Sequence, residues 1–157
     1  MNNLNASDAV KIFNEASDTA LVMKNLFSFH SLSFVGENDF NTAVKEEPGC
    51  LVFLSKGNRL MYDLAHNVRY VNTQEFEIEN YDEFYGFICG IISNNFDTSH
   101  IFIDSAWKIV DSAEAGFEKF LNQLENIGEK FNIHFSISIS EDKEAAPAYL
   151  VPYLVEV

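Results

Sequence analysis

The stretch that most constrains this chain is His100-Ile101-Phe102-Ile103-Asp104-Ser105-Ala106-Trp107. Three consecutive large apolar residues suit a strand covered on both faces, because a half-exposed strand would alternate with polar side chains. The run turns abruptly polar at Asp104 and Ser105. That is how a strand leaves the core at its carboxyl end, where open α/β sheets place their ligand crevice. Residues 112–131 then read as a helix. Phe117, Phe120, Leu121, Leu124 and Phe131 share one face with Ile127 at its margin, and Glu118, Gln123, Glu125 and Lys130 fall on the wet side. Asp111 is placed to cap this helix with Glu114 three residues on. Gly128 either weakens its last turn or begins its stop. Beyond it, Ile133, Phe135, Ile137 and Ile139 alternate with His134, Ser136, Ser138 and Ser140, the period of a strand. Strand, helix, strand makes a βαβ unit with a right-handed crossover, and puts Asp104 at the end of a central strand with parallel neighbours on both sides.

The rest of the chain fits around that unit. Ser7 and Asp8 precede an amphipathic first helix carrying Val10, Ile12, Phe13 and Ala16. Residues 19–23 suit either a helix extension or a short buried strand, and periodicity does not choose between them. Ser31 to Val35 alternates like a strand, and Phe40 to Lys45 is a short helical turn stopped by Pro48-Gly49. Cys50-Leu51-Val52-Phe53-Leu54 is a second wholly apolar strand. Arg59 to Leu64 can add a short helix, Val68 to Val71 a strand, and Phe76 to Ile78 a weaker one. Asp82 opens a helix with Phe84, Phe87, Ile88, Ile91 and Ile92 on one face, where Gly86 and Gly90 would allow close packing on a sheet. The apolar tail, Pro147 to Val157, reads as a last strand or docked arm broken by Pro152. These elements predict one α/β domain over residues 1–157, a three-layer structure with a mostly parallel central sheet flanked by helices.

Charge narrows the function classes. With 24 acidic against 10 basic residues the net charge is −14. That argues against direct nucleic-acid binding or an anionic membrane surface, both of which need clustered Lys and Arg, and it permits a basic protein partner. The first residues lack the basic and apolar regions of an export signal, and no apolar run is long enough to span a membrane. Cys50 and Cys89 lie in apolar runs and read as buried free thiols, the state expected in the cytoplasm.

From Cys50 to Leu154 the order of elements resembles the later part of RecA/KaiC-like ATPase domains. Those domains have a hydrophobic strand ending in the Walker B aspartate, often as Ile-Asp-Ser, and a neighbouring strand that ends in polar sensing residues. Here Ile103-Asp104-Ser105 and the serine-rich strand after it carry the likeness. The resemblance implies a nucleotide-binding core, but the chain contains no Gly-Lys-Ser or Gly-Lys-Thr. Without that loop no backbone cradle holds the phosphates and no lysine reaches them. Lys56-Gly57 has the wrong order and follows a different strand. The implied domain is therefore a degenerate ATPase fold that does not hydrolyse ATP and carries no cofactor. A fainter similarity to receiver-like flavodoxin folds, around Ser31 to Leu54, lacks the phosphorylatable aspartate, because Ser55 follows the strand.

The remaining candidates are weighed against plainer roles. Asp104 can hold a metal or polarise a water, but a strand-end carboxylate more often caps nearby amides. His30, His66, His100 and His134 lack metal-ligand spacing and read as strand-edge or surface residues. No Gly-x-Ser-x-Gly is present, and neither cysteine has a catalytic setting. Lys56 and Arg59, in the turn after a buried strand, are placed to grip an anion. Trp107 stands either at the crevice, as a contact residue, or over the following helix. The expected ligand edge is thus Ser55, Lys56, Arg59, Asp104, Ser105, Trp107 and Ser140, with no catalytic residue and no metal site. The expected function is a non-catalytic cytoplasmic regulatory or scaffold module acting through protein contacts, with homo-oligomerisation permitted. The alternatives are a residual nucleotide- or small-ligand-binding domain and an acidic inhibitor that masks a basic nucleic-acid-binding surface.

Overall fold

In the computed structural model, described for residues 21–23, 49–58, 68–110, 114–139 and 146–155, six strands form one sheet. They are β1 (Leu21–Met23), β2 (Cys50–Ser55), β3 (Val68–Asn72), β4 (Thr98–Ile103), β5 (His134–Ile139) and β6 (Leu154–Val155). Their spatial order is β3-β2-β4-β5-β1-β6. The first four in that order run parallel, and β1 pairs antiparallel with both β5 and β6. The sheet is therefore mostly parallel, and β4 lies between two parallel neighbours as its apolar triplet requires. Of the two options for residues 19–23, Leu21–Met23 takes the strand.

The helices are α1 (Tyr81–Asn94), the single turn α2 (Ala106–Ile109) and α3 (Phe117–Phe131). Asn80 caps α1 by accepting a hydrogen bond from the Glu83 amide at 2.9 Å. Phe84, Ile88, Ile91 and Ile92 of α1 and Phe117, Phe120, Leu121, Leu124 and Ile127 of α3 share one core with Val52, Leu54, Ile101, Ile103, Phe135 and Ile137 of the strands. The opposite face of the sheet is equally withdrawn from water, with Leu51, Phe53, His100, Phe102, Ser136 and Ser138 all buried. Burial of both faces makes this a three-layer α/β fold. On that second face Tyr70, Phe53 and Phe102 occupy matching positions on β3, β2 and β4, with successive ring centroids 6.0 Å apart. Such cross-strand aromatic pairs fix the register of neighbouring strands.

Several expectations need correcting. Helix α3 begins at Phe117 behind Gly116, which has φ 83°, and Asp111 lies outside the described residues. Gly128 does not stop the helix. The stop comes at Asn132, in the left-handed region at φ 54°, and the Ile133 amide closes the end on the Gly128 carbonyl at 3.0 Å. Phe131 leaves the apolar stripe and is exposed, while Ile127, expected at the margin, is buried. Residues 76–78 form no strand. Thr73–Phe76 is a 3-10 helix ended by Glu77 in the left-handed region. Gly86 and Gly90 face open space, so they serve no close packing. The cysteines are free but only half-buried. The tail makes a 3-10 helix, Ala148–Tyr153, before the two-residue β6. The first helix, the strand at 31–35, the turn at 40–45 and the helix at 59–64 lie outside the described residues.

The tail packs its tyrosines against α3. Burial, followed by the nearby Glu114 and Glu118 carboxylates, pushes the Tyr149 phenol up to about 12. Burial and then Tyr149 raise Tyr81, and burial and then Glu125 raise Tyr153. Among the described residues the Tyr149 hydroxyl has no hydrogen-bond partner. An unfolded tyrosine ionises near pH 10, so above that the unfolded state loses protons that the folded state keeps. Stability present at neutral pH should therefore fall as pH rises from about 10 towards 12. Tyr149→Phe should flatten this decline and, by deleting an unpaired buried hydroxyl, leave neutral stability unchanged or raised by up to about 1 kcal/mol. Urea titrations at neutral pH and above pH 10 check both points.

The α3 stripe gives a second test. Leu124 is fully buried, so Leu124→Ala should cost ~2–5 kcal/mol, the transfer and cavity terms together. Glu125 is half-buried and accepts the Tyr153 hydroxyl at 3.5 Å, so the exposed Glu129 is the cleaner neighbour. Glu129→Ala should change stability by less than ~0.5 kcal/mol. Equal urea midpoints for the two variants would refute the assigned face.

Candidate functional site

The chain runs from β2 outward to β3, then returns across β2 to β4 and on to β5. The direction of winding reverses between β2 and β4, and their carboxyl ends therefore flank the crevice of an open parallel sheet. Ser55 ends β2 and Asp104 follows β4 directly. Ser55 Oγ donates to Asp104 Oδ2 at 3.2 Å and joins the two edges. From β5, Ser138 Oγ donates to Asp104 Oδ1 at 3.0 Å, and Ser105 Oγ approaches the same oxygen at 3.4 Å. Asp104 is only 5% exposed.

Local backbone explains how three serines converge. Ser105 turns left-handed at φ 51° so that the chain can leave β4 and enter α2 at Ala106. For a non-glycine residue that turn carries strain of about 1–3 kcal/mol. Its amide is held in compensation by Ser138 Oγ at 2.8 Å. Ser138 thus donates to Asp104 and accepts from Ser105, fixing both. The network continues outward, where Thr73 Oγ1 donates to the Ser55 carbonyl at 3.2 Å and the Asn72 side chain accepts from the amides of Gly57 and Gln74. Hydrogen bonds therefore link the carboxyl ends of β3, β2, β4 and β5.

The expected ligand edge is only partly assembled. Ser55, Asp104 and Ser105 come together. Lys56 is exposed beyond Ser55. Trp107 is half-buried and meets Phe117 edge-on, centroids 5.8 Å apart, so it covers α3 rather than standing free at a crevice. Arg59 and Ser140 lie outside the described residues. The residue missed was Ser138, which the alternating pattern placed on the polar side of the strand without singling it out. Asp104 also differs from the simple capping role, because its bonds come from hydroxyls and not from amides. His100 is not a surface residue. It is buried in β4, bonds Ser136 at 2.8 Å and stacks on Phe102 at 4.1 Å. Among the described residues no group of three or more acidic, His or Cys side chains is arranged to hold a metal ion, and no helix is long and apolar enough to cross a membrane.

Two of the hollows among the described residues lie elsewhere. One, of about 720 Å³, runs along β3 and α1 between Arg69, Tyr70, Phe76 and Phe87. The other, of about 610 Å³, lies at the amino ends of β2 and β4. Neither includes Asp104 in its lining. Compared with known proteins, the chain matches no family model, no curated protein and no solved structure.

Because Ser138 serves Asp104 and Ser105 together, Ser138→Ala should cost about 2–4 kcal/mol by leaving buried groups unpaired. In a double-mutant cycle with Asp104→Ala the two losses should be non-additive by about 0.5–3 kcal/mol, as for partners in one network. Strict additivity in urea titrations would show that the contact carries no energy.

Proposed function

We propose that this is a non-catalytic cytoplasmic regulatory or scaffold module that acts through protein contacts. The observation that carries this reading is the environment of Asp104. Its carboxyl oxygens are occupied by the hydroxyls of Ser55, Ser105 and Ser138, within hydrogen-bonding distance and away from solvent. A group held in this way stitches strands together and is not presented to a ligand. The RecA/KaiC-like pattern of an Ile-Asp-Ser strand beside a serine-rich one supports descent from a nucleotide-binding core. The missing Gly-Lys-Ser/Thr loop removes the positioning and charge stabilisation that phosphoryl transfer needs.

The surface supplies what the crevice lacks. Glu75, Glu77, Glu79, Asp82 and Glu83 form an exposed acidic run with Phe76, 54% exposed, inside it. Phe76 packs against Phe87 at 4.8 Å and forms an aromatic wall beside the β3 edge. Acidic groups around an accessible aromatic suit a basic protein partner, with charge setting encounter and the ring supplying contact energy. Net charge −14 and the two free thiols fit a soluble, reduced setting.

The test is thermal denaturation of the purified protein with Mg-ATP and Mg-ADP, paired with a phosphate-release assay. No shift in Tm and no turnover are expected. A saturable rise in Tm that disappears in Asp104→Asn would replace this reading with the nucleotide-binding one.

A further inference from the structure

The amino ends of β2 and β4 form a pole with an unusual surface. Phe96, in the turn between α1 and β4, is 96% exposed, and Phe131 at the end of α3 is 49% exposed. Both line the hollow of about 610 Å³ found there. Phe96 is held outward by a built turn. Asn95 Oδ1 accepts from the Asp97 amide at 2.9 Å, and the Cys50 amide donates to the Asp97 carbonyl at 2.7 Å. Gly49 permits that approach, because a Cβ there would come within 2.7 Å of the Asp97 carbonyl oxygen and of Ser99 Oγ. The backbone that carries the ring is therefore fixed, and little main-chain ordering entropy remains to be lost when this knob is covered.

Knob and hollow share one patch, which is the condition for an isologous contact, where the same surface must fit itself across a two-fold axis. The charges meet the same condition. Asp97 adjoins the knob, and Lys130 lies over the Phe131 ring at 5.4 Å from its centroid. Neither makes an ion pair with another described residue. Two unpaired charges of opposite sign on one patch become two complementary pairs when the patch meets its own copy.

We infer that two copies of this chain pair through this pole, with Phe96 of each entering the hollow of the other and Asp97 facing Lys130 of the partner subunit. The patch is small and each chain carries net charge −14, so the dimer is weak and forms best where salt screens the general repulsion. The inference gives the contact-based reading one concrete partner and fails separately from it. Nucleotide binding would end that reading whatever the oligomeric state, whereas a strict monomer would end only this one.

Sedimentation equilibrium of the full chain tests it, at ~0.15 M salt where charge interactions reach about 8 Å and from about 1 to 500 µM, the range in which weak contacts associate. Wild type should show a reversible monomer–dimer equilibrium. Phe96→Ser, at a site too exposed to affect folding, should weaken it about tenfold or more, and Phe76→Ser, away from the pole, should not. Asp97→Lys and Lys130→Asp should each weaken association, and together restore it. A wild-type chain that stays monomeric throughout, or Phe96→Ser and charge variants that associate as wild type does, would overturn the inference.

Discussion

The end of the central strand β4 has to solve one problem. Asp104 sits where the sheet is covered, and a buried polar group left without partners costs roughly 1–3 kcal/mol or more. The protein answers with hydroxyls drawn from β2, from β5 and from Ser105, the next residue in the chain. Each donor ties a different piece of chain to one carboxyl group, so the bonds that satisfy Asp104 also fix the spacing of three strand ends. The left-handed turn at Ser105 depends on the same arrangement, because Ser138 holds its amide. Loss of any one member leaves others unpaired, which makes the network cooperative in effect.

The two faces of the sheet divide the labour. Towards α1 and α3 the buried side chains of the strands are apolar, and adhesion there is non-directional burial. Towards the other face they present Asp104, Ser138, Ser136 and His100 together with the aromatic row of Tyr70, Phe53 and Phe102. Directional contacts on that face specify which strand lies beside which and in what register. A sheet of wholly apolar strands would gain comparable burial in several registers, whereas Ser136 reaches His100 in only one.

How far the sequence revealed this depended on the kind of signal. The apolar triplet Ile101–Ile103 can only be covered on both sides, and it located β4 at the centre. The helical repeat over Phe117, Phe120, Leu121 and Leu124 located the packed face of α3. Single residues at element ends were harder to place. Phe131 continues the stripe in sequence, but the helix ends there and its ring leaves the core. Glu77 belongs to a turn that alternation alone suggested was a strand. Ser136 and Ser138 were the largest difference. Alternation of Ser with Ile and Phe is the pattern of a strand with one wet face, yet these serines are buried. What makes burial tolerable is a partner 34 or 36 residues away, and a local pattern holds no record of it. The aspartate of the candidate site was therefore legible, and the residue that closes the site was not.

That closure bears on what the fold can still do. A crevice at the reversal of strand order usually stays open because its end residues turn towards a ligand. Here they turn towards one another, and the cost of separating them would fall on any ligand that entered. Binding there would have to replace three internal hydrogen bonds before gaining anything, so affinity would be reduced by the free energy of opening. No such cost attaches to the rims. The acidic segment around Phe76 and the pole around Phe96 already expose aromatic side chains beside charged groups; the first joins the crevice network through Thr73, and the second lies at the opposite ends of β2 and β4. The strand ends are thus closed where a ligand would have to enter, and the accessible aromatic side chains lie at the rims.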